Sequence, residues 1–301
     1  MKQLSLSDKQ RSVLFAYSFL LPLVALYVFL MFYPVARGAL WSLQDLSLAR
    51  LAGGRPSDYV GLDNYRQLFA DATFWGKVVP NTIVFVAGSV GLQIAIGTAL
   101  AILLNQRFIV GRRIMRSVVL LPWVTANVIV AYSWVFIYDS RVGLLNTFLI
   151  DLGLNPVSVL TSRALVMPAI VLANVWKGTA FAMLVQSSGL QTIPDELYQA
   201  ASIDGAGNWK MITKITLPLL RRFTLLNILY ATMSTLNVFD LIYIMTGGGP
   251  LNNSSVVGLY MYQQAFTLGR FGYGAAIAML LLAFNFLLTF GFLKWFGKEA
   301  Q

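Results

Sequence analysis

The sequence predicts an all-α polytopic membrane protein that crosses its bilayer six times. Hydrophobic residues make up 57% of 301 positions and charged residues only 11%, outside the usual range of a soluble domain. The apolar residues also gather into continuous runs of about 21–26, the length at which a helix covers ~30 Å of hydrocarbon. These runs do not alternate in polarity, so they describe helices and not the strands of a barrel.

The runs fall at 12–32, 80–104, 117–138, 164–189, 223–246 and 273–296. The first follows Lys2, Lys9 and Arg11, as in a signal peptide, but it is too long for an h-region. Tyr33-Pro34-Val35 follows it in place of a small-residue cleavage site, so it counts as a span. In the next loop, 35–79, turn chemistry stands at Gly53-Gly54 and Arg55-Pro56, and Asp63 is placed to cap a short helix through Leu68 and Phe69. The second span carries Gly91, Ala95 and Ala99 at four-residue spacing, a stripe on which another helix can pack closely. Pro122 is expected to kink the third span. The connection 139–163 is apolar enough to include a short helix at the interface.

Charge sets the orientation. With both termini in the cytoplasm, the inner parts are the tails 1–11 and 297–301, the turn 105–116 and the loop 190–222. Together with Lys294 they hold thirteen basic residues against five acidic ones, whereas the outer parts hold eight and six. That excess obeys the positive-inside rule, and it makes the formal +10 a membrane-surface charge. Nucleic-acid binding is the weaker reading, because no basic and aromatic platform accompanies the charge. With no cysteine and no histidine, the chain offers no thiolate chemistry and no usual zinc ligand. No metal site, cofactor site or catalytic constellation is found, so the chain is not read as an enzyme.

The loop 190–222 is polar, helix-forming and unusually long. Thr192 is placed as an N-cap and Pro194 as an early helical residue, with Asp195 and Glu196 favoured in the first turn by the helix dipole. Gly205 and Gly207 are expected to end this helix, and a second runs from Asn208 to Pro218. The small Ala200 and Ala201 would let a partner approach closely. On residue types alone the loop reads equally as a connector resting on headgroups or as a surface for a partner.

Here the sequence resembles a known family. Gln199-Ala-Ala-Ser-Ile-Asp-Gly-Ala206, followed by Ile215-Thr-Leu-Pro218, is similar to the "EAA" loop of binding-protein-dependent ABC importer permeases. Gly61-Leu-Asp-Asn-Tyr65, Pro80-Asn-Thr82, Leu121-Pro122, Val175-Trp-Lys177 and Thr246-Gly-Gly-Gly-Pro250 resemble the carbohydrate branch, of maltose-permease and glycerol-3-phosphate-permease type. The resemblance implies a type I importer subunit in a prokaryotic plasma (inner) membrane. Its implied partners are a second related permease, two copies of a cytoplasmic ATP-binding subunit and an external solute-binding protein, with a carbohydrate as substrate. The chain contains no G-x-x-x-x-G-K-[ST] loop, so ATP hydrolysis is expected on a separate subunit. The resemblance further implies that Gln199, Ala200, Ala201, Asp204 and Gly205 couple to that ATPase, and Glu196 is read beside them as a partial substitute for the missing glutamate. One departure is Gln199, where the family has glutamate; Glu196 stands three residues earlier on a neighbouring face.

Sugars call for amides and hydroxyls against their OH groups and aromatic faces against their CH groups. Asn174, Lys177, Gly178 and Phe181 lie at i, i+3, i+4 and i+7, on one helical stripe. The resemblance implies that this stripe faces the translocation cavity, opposite a companion stripe of Ala231, Ser234, Thr235 and Val238. Plain helix packing is the competing account of both, since small and hydroxyl residues also gather at helix contacts. Gly178 is expected to leave room for a ligand beside the backbone. Lys177 and Asp240 are the charges placed inside spans, where facing lipid would cost ~2.5–3.5 kcal/mol. Asp240 is expected to brace the glycine loop at 246–250 through backbone N–H groups, without a salt bridge to Lys177. The 247–271 segment, poor in charge and rich in Gly, Asn, Ser and Tyr, is expected to dock the external protein. Alternatives are glycerol-3-phosphate or another polar solute, with Lys177 on the anionic group, and an ion-coupled secondary transporter. The latter needs acids within the spans, and Asp240 is the clear one.

Overall fold

The computed structural model describes residues 8–106 and 109–296. The expected tail at 297–301, most of that at 1–11, and Arg107 lie outside the described residues. In chain order the elements are α1 (Asp8–Ser42), β1 (Gln44–Asp45), α2 (Leu48–Ala52), β2 (Asp58–Tyr59), α3 (Asp63–Ala70), α4 (Val79–Asn105), α5 (Arg112–Val124) and α6 (Asn127–Ile137). They continue as α7 (Leu144–Asp151), α8 (Val166–Leu190), α9 (Asp195–Ile203), α10 (Asn208–Met211), α11 (Leu217–Leu219), α12 (Arg221–Leu236), α13 (Asp240–Thr246), α14 (Val257–Tyr262) and α15 (Phe271–Phe296). π-helical turns at Phe74–Val78, Ile212–Thr216 and Gln263–Thr267 join several of them.

Among the described residues, four stretches are long and apolar enough to cross a membrane alone: Tyr17–Ser42, Phe74–Asn105, Val166–Leu190 and Phe271–Lys294. Two bent pairs reach that length together, α5 with α6 at 98° and α12 with α13 at 49°, which makes six if each pair is one span. The first helix runs ten residues beyond the expected end at 32, with Pro22 and Pro34 inside it. The third span is broken rather than kinked. Pro122 stays helical, and the chain turns at Thr125 and Ala126, whose ψ angles of 136° and 140° are extended.

The chain divides into two compact units, 1–68 with 264–280, and 69–263 with 281–301. In the first, β1 and β2 form an antiparallel hairpin with Gln44 opposite Tyr59 and Asp45 opposite Asp58. The buried Asn64 amide donates to the Ser42 and Gln44 carbonyls, both at 2.9 Å. Asp63 is the first residue of α3 and its carboxylate accepts from Arg66, so it is an in-helix ion pair and not a cap. Gly272 is required sterically, since a Cβ there would sit 2.1 Å from the Gln44 carbonyl oxygen.

In the second unit α4 packs along α8. The buried face of α4 runs through Thr82, Phe85, Ser89, Gln93, Gly97, Ala101 and Leu104, at helical spacing of three and four. The expected stripe of Gly91, Ala95 and Ala99 is exposed instead, and a Cβ at Gly91 would meet nothing within 4 Å. Gly97 makes the close approach. The two stripes have the same spacing, and only the phase of Gln93 and Phe85 separates them.

The connection 139–163 includes α7 and is organised by Asn146, which is fully buried. Its amide donates to the Asp139 and Val157 carbonyls, and its oxygen accepts from Val157 N–H at 2.7 Å. Asn146→Ala leaves these backbone groups unpaired and is expected to cost about 1–3 kcal/mol, read as a lower thermal midpoint of the purified protein. An unchanged midpoint would refute this role.

Within the 247–271 segment expected to dock the external protein, several polar residues of 247–263 also make inward contacts. Ser254 and Ser255 are fully buried; the Ser254 hydroxyl lies 2.8 Å from that of Thr246, Asn81 donates to the Asn252 and Ser255 carbonyls, and Thr82 Oγ1 accepts from Val257 N–H. Tyr260 donates to Asp71 at 2.7 Å. A stretch with few charges and many small polar residues suits burial against polar backbone as well as exposure.

Candidate functional site

A cavity of about 230 Å³ opens where α4, α5, α6, α8 and α12 converge. All eight residues of the two expected stripes line it. Asn174, Lys177, Gly178 and Phe181 come from α8, Ala231, Ser234 and Thr235 from α12, and Val238 from the break before α13. Five further residues complete the wall: Gln93, Trp123, Asn127, Asn227 and Tyr230. Asn227 precedes Ala231 by one helical turn, so extending the stripe back by four residues would have found it. Trp123 and Asn127 flank the α5–α6 break, and no periodicity announces that geometry.

Three aromatic side chains form one wall. Phe181 stands between Trp123, with ring centroids 5.4 Å apart, and Tyr230, at 4.2 Å. The same cavity is also lined by amides and hydroxyls from four helices. Two amide atoms of this wall, Asn174 Nδ2 and Asn227 Oδ1, have no hydrogen-bond partner among the described residues. Both atoms are buried, so they lie on the packed side of these residues and not on the open face of the cavity.

Gly178 serves a purpose other than the expected one. The space beside its backbone is filled by the Gln93 side chain, whose atoms would lie 2.3–2.6 Å from an added Cβ. Gln93 crosses there to donate to the Asn174 carbonyl at 3.1 Å. Helix packing and cavity lining therefore coincide at this glycine, which a one-dimensional reading treats as alternatives.

Asp240 also departs from expectation. It does not brace the glycine loop, where Thr246, Ser254 and Gln263 make the polar contacts. It is the first residue of α13, its Oδ1 accepts from Leu241 N–H, and its Oδ2 accepts from Asn127 Nδ2 at 2.8 Å. Asn127 Oδ1 in turn accepts from Lys177 Nζ. Among the described residues Lys177 and Asp240 form no direct ion pair, but one amide links them. Both helix breaks make this possible, because each places the first residue of a half-helix beside the middle of α8.

The second candidate surface lies on 190–222. Thr192 caps nothing; its hydroxyl donates to the Gly189 carbonyl, and Pro194 holds the N-cap position of α9. Helix α9 ends at Ile203 and turns through Gly205 at φ +74°, with Ala206 N–H reaching back to the Ala201 carbonyl at 2.8 Å. Gly207 is the N-cap of α10, so it opens the second helix and does not close the first. Glu196, Gln199, Ala200, Asp204 and Gly205 are exposed and Ala201 is half-buried. Flanking the turn, Ile203 is 87% and Trp209 78% exposed, an apolar pair that the sequence reading passed over. Tyr198 Oη lies 3.0 Å from Thr216 Oγ1, and buried Leu190, Ile193 and Leu220 anchor the base of the loop.

Residues 93–298 match the family described as binding-protein-dependent transport system inner membrane component. The chain is 36% identical over 287 residues to the trehalose/maltose transport system permease protein MalF of Thermococcus litoralis, covering 95% of each. It is 34% identical to the sulfoquinovosyl glycerol transport system permease protein SmoG of Agrobacterium fabrum, covering 97% of this chain and 92% of that one. In fold it is similar to a chain of the bacterial alginate ABC transporter solved with its alginate pentasaccharide-bound periplasmic protein, at TM-score 0.84 and 22% identity, covering 98% of both.

Proposed function

Because the chain belongs to the family of binding-protein-dependent transport system inner membrane components, we propose that it forms half of the pathway of an ATP-driven importer whose solute is a carbohydrate. The observation that carries the carbohydrate is the cavity wall. It brings the Trp123–Phe181–Tyr230 rings and the polar side chains of Lys177, Ser234 and Thr235 to one cavity. Such pairing suits a ring with one apolar face and a girdle of hydroxyls. The trehalose/maltose relative supports the same class.

In this reading the second half of the pathway is a related permease, and an external solute-binding protein delivers the sugar. Two copies of a cytoplasmic ATP-binding subunit supply the chemistry. Both termini and the 190–222 loop face the cytoplasm, in keeping with the basic residues of that loop. The α9–Gly205 turn, with Glu196, Gln199, Ala200, Ala201 and Asp204, docks on the ATPase, and Ile203 and Trp209 add apolar area to the contact. The sugar is not altered; this chain orients it and changes its access from one side to the other.

The test is uptake by the complete transporter in proteoliposomes supplied with binding protein. Uptake is expected to require ATP and to be abolished by vanadate. The double change Phe181→Ala, Tyr230→Ala is expected to raise the half-saturating sugar concentration by about tenfold, from the loss of the Tyr230 ring and of the Phe181 ring that backs it. Solute movement by this chain alone under an ion gradient would overturn the proposal.

A further inference from the structure

We propose that Asp240, acting through Asn127, sets the charge class of the solute by neutralising Lys177, so that the cavity accepts uncharged sugars and discriminates against anionic ones. This rests on reading the cavity as the sugar site.

Lys177 is the charged side chain among the residues lining the cavity. Taken alone it would make the site a natural receptor for phosphate, carboxylate or sulfonate. It is not alone. Its ammonium donates to Asn127 Oδ1, while Asn127 Nδ2 donates to Asp240 Oδ2 at 2.8 Å. An amide has one accepting and one donating end, and here the accepting end meets the cation and the donating end meets the anion. The reversed amide would set donor against donor and acceptor against acceptor, so the two ions hold Asn127 in one orientation. Asp240 is itself held, its other oxygen accepting from Leu241 N–H.

The three groups therefore form a fixed chain of net charge zero at the wall. Any anion drawn to Lys177 is repelled by Asp240 one amide away, both groups being half-buried and so only partly screened. A hydroxyl carries no such penalty and can still accept from the ammonium. The residues come from three separate elements, α6, α8 and α13, and both breaks are needed to assemble them.

Removing the counter-charge is the decisive perturbation. The assembled transporter in nanodiscs, without binding protein, is examined by saturation-transfer NMR with trehalose, maltose and their 6-phosphates. The wild type is expected to prefer the parent sugars by at least about tenfold. Asp240→Asn is expected to shift the phosphate-to-parent binding ratio towards the phosphate by about tenfold or more, the scale of one charge-assisted hydrogen bond. Asp240→Asn combined with Lys177→Gln is expected to return the ratio to the wild-type value, which separates charge from the bulk of the phosphate.

A wild type that binds the 6-phosphates as well as the parent sugars overturns the inference, whether or not the variants assemble. So does an Asp240→Asn ratio within threefold of wild type while the parent sugars still bind; the sugar-site reading then stands. If neither class binds the wild type, the sugar-site reading fails and the inference fails with it.

Discussion

Replacing Gly205 with valine is expected to cut uptake at least tenfold while ATP hydrolysis by the assembled transporter continues. Gly205 occupies the left-handed region at φ +74°, which a β-branched residue enters only at a cost of roughly 1–2 kcal/mol. Within this chain an added Cβ would meet nothing within 4 Å, so the subunit itself has room for a side chain. Any steric effect must therefore come from a partner surface pressed against the turn. Gly205→Asn separates the two causes, because asparagine tolerates the left-handed conformation but still adds bulk. If Asn uncouples as strongly as Val, close approach of the ATPase is the reason. If Asn behaves as wild type and Val does not, the reason is backbone geometry. Normal coupling in both variants would remove the turn from the proposed contact.

Gly97→Val is expected to abolish the folded protein, or to lower its thermal midpoint by the equivalent of about 3 kcal/mol, the upper range for overpacking. A Cβ at Gly97 would lie 2.6 Å from the Ala182 Cβ and 2.9 Å from the Met183 backbone nitrogen. The obstacle is largely backbone, which cannot rotate out of the way as a side-chain tip can. Gly91→Val, six residues earlier on the same helix, adds its side chain to open space and is expected to leave the midpoint unchanged. Equal sensitivity at both sites would mean that the α4–α8 contact does not decide the outcome.

The contrast between these two glycines shows how far periodicity reaches. Gly91, Ala95 and Ala99 make as regular a stripe as Ser89, Gln93, Gly97 and Ala101, yet the second is buried and the first exposed. A 3.6-residue period gives the existence of a face but not which face is covered when the helix is apolar all round. The cavity stripes were easier to see. Spacing puts Asn174, Lys177, Gly178 and Phe181 on one face, and the family resemblance is what turned that face and its companion stripe to a cavity. Trp123, Asn127 and the role of Asp240 were hidden, because they depend on the 98° and 49° breaks. Asn127 and Asp240 lie 113 residues apart, and no local pattern relates them.

The sequence by itself determined the class of this protein. Long apolar runs, scarce charge and a polar loop with Gly205 at a turn follow from hydration and backbone sterics, which act residue by residue. The tertiary structure alone decided that Gly97 and not Gly91 meets α8, that Gln93 fills the space beside Gly178, and that Lys177 reaches Asp240 through one amide. Each of these depends on where two distant helices stop and how they cross, a result of packing that no single segment encodes.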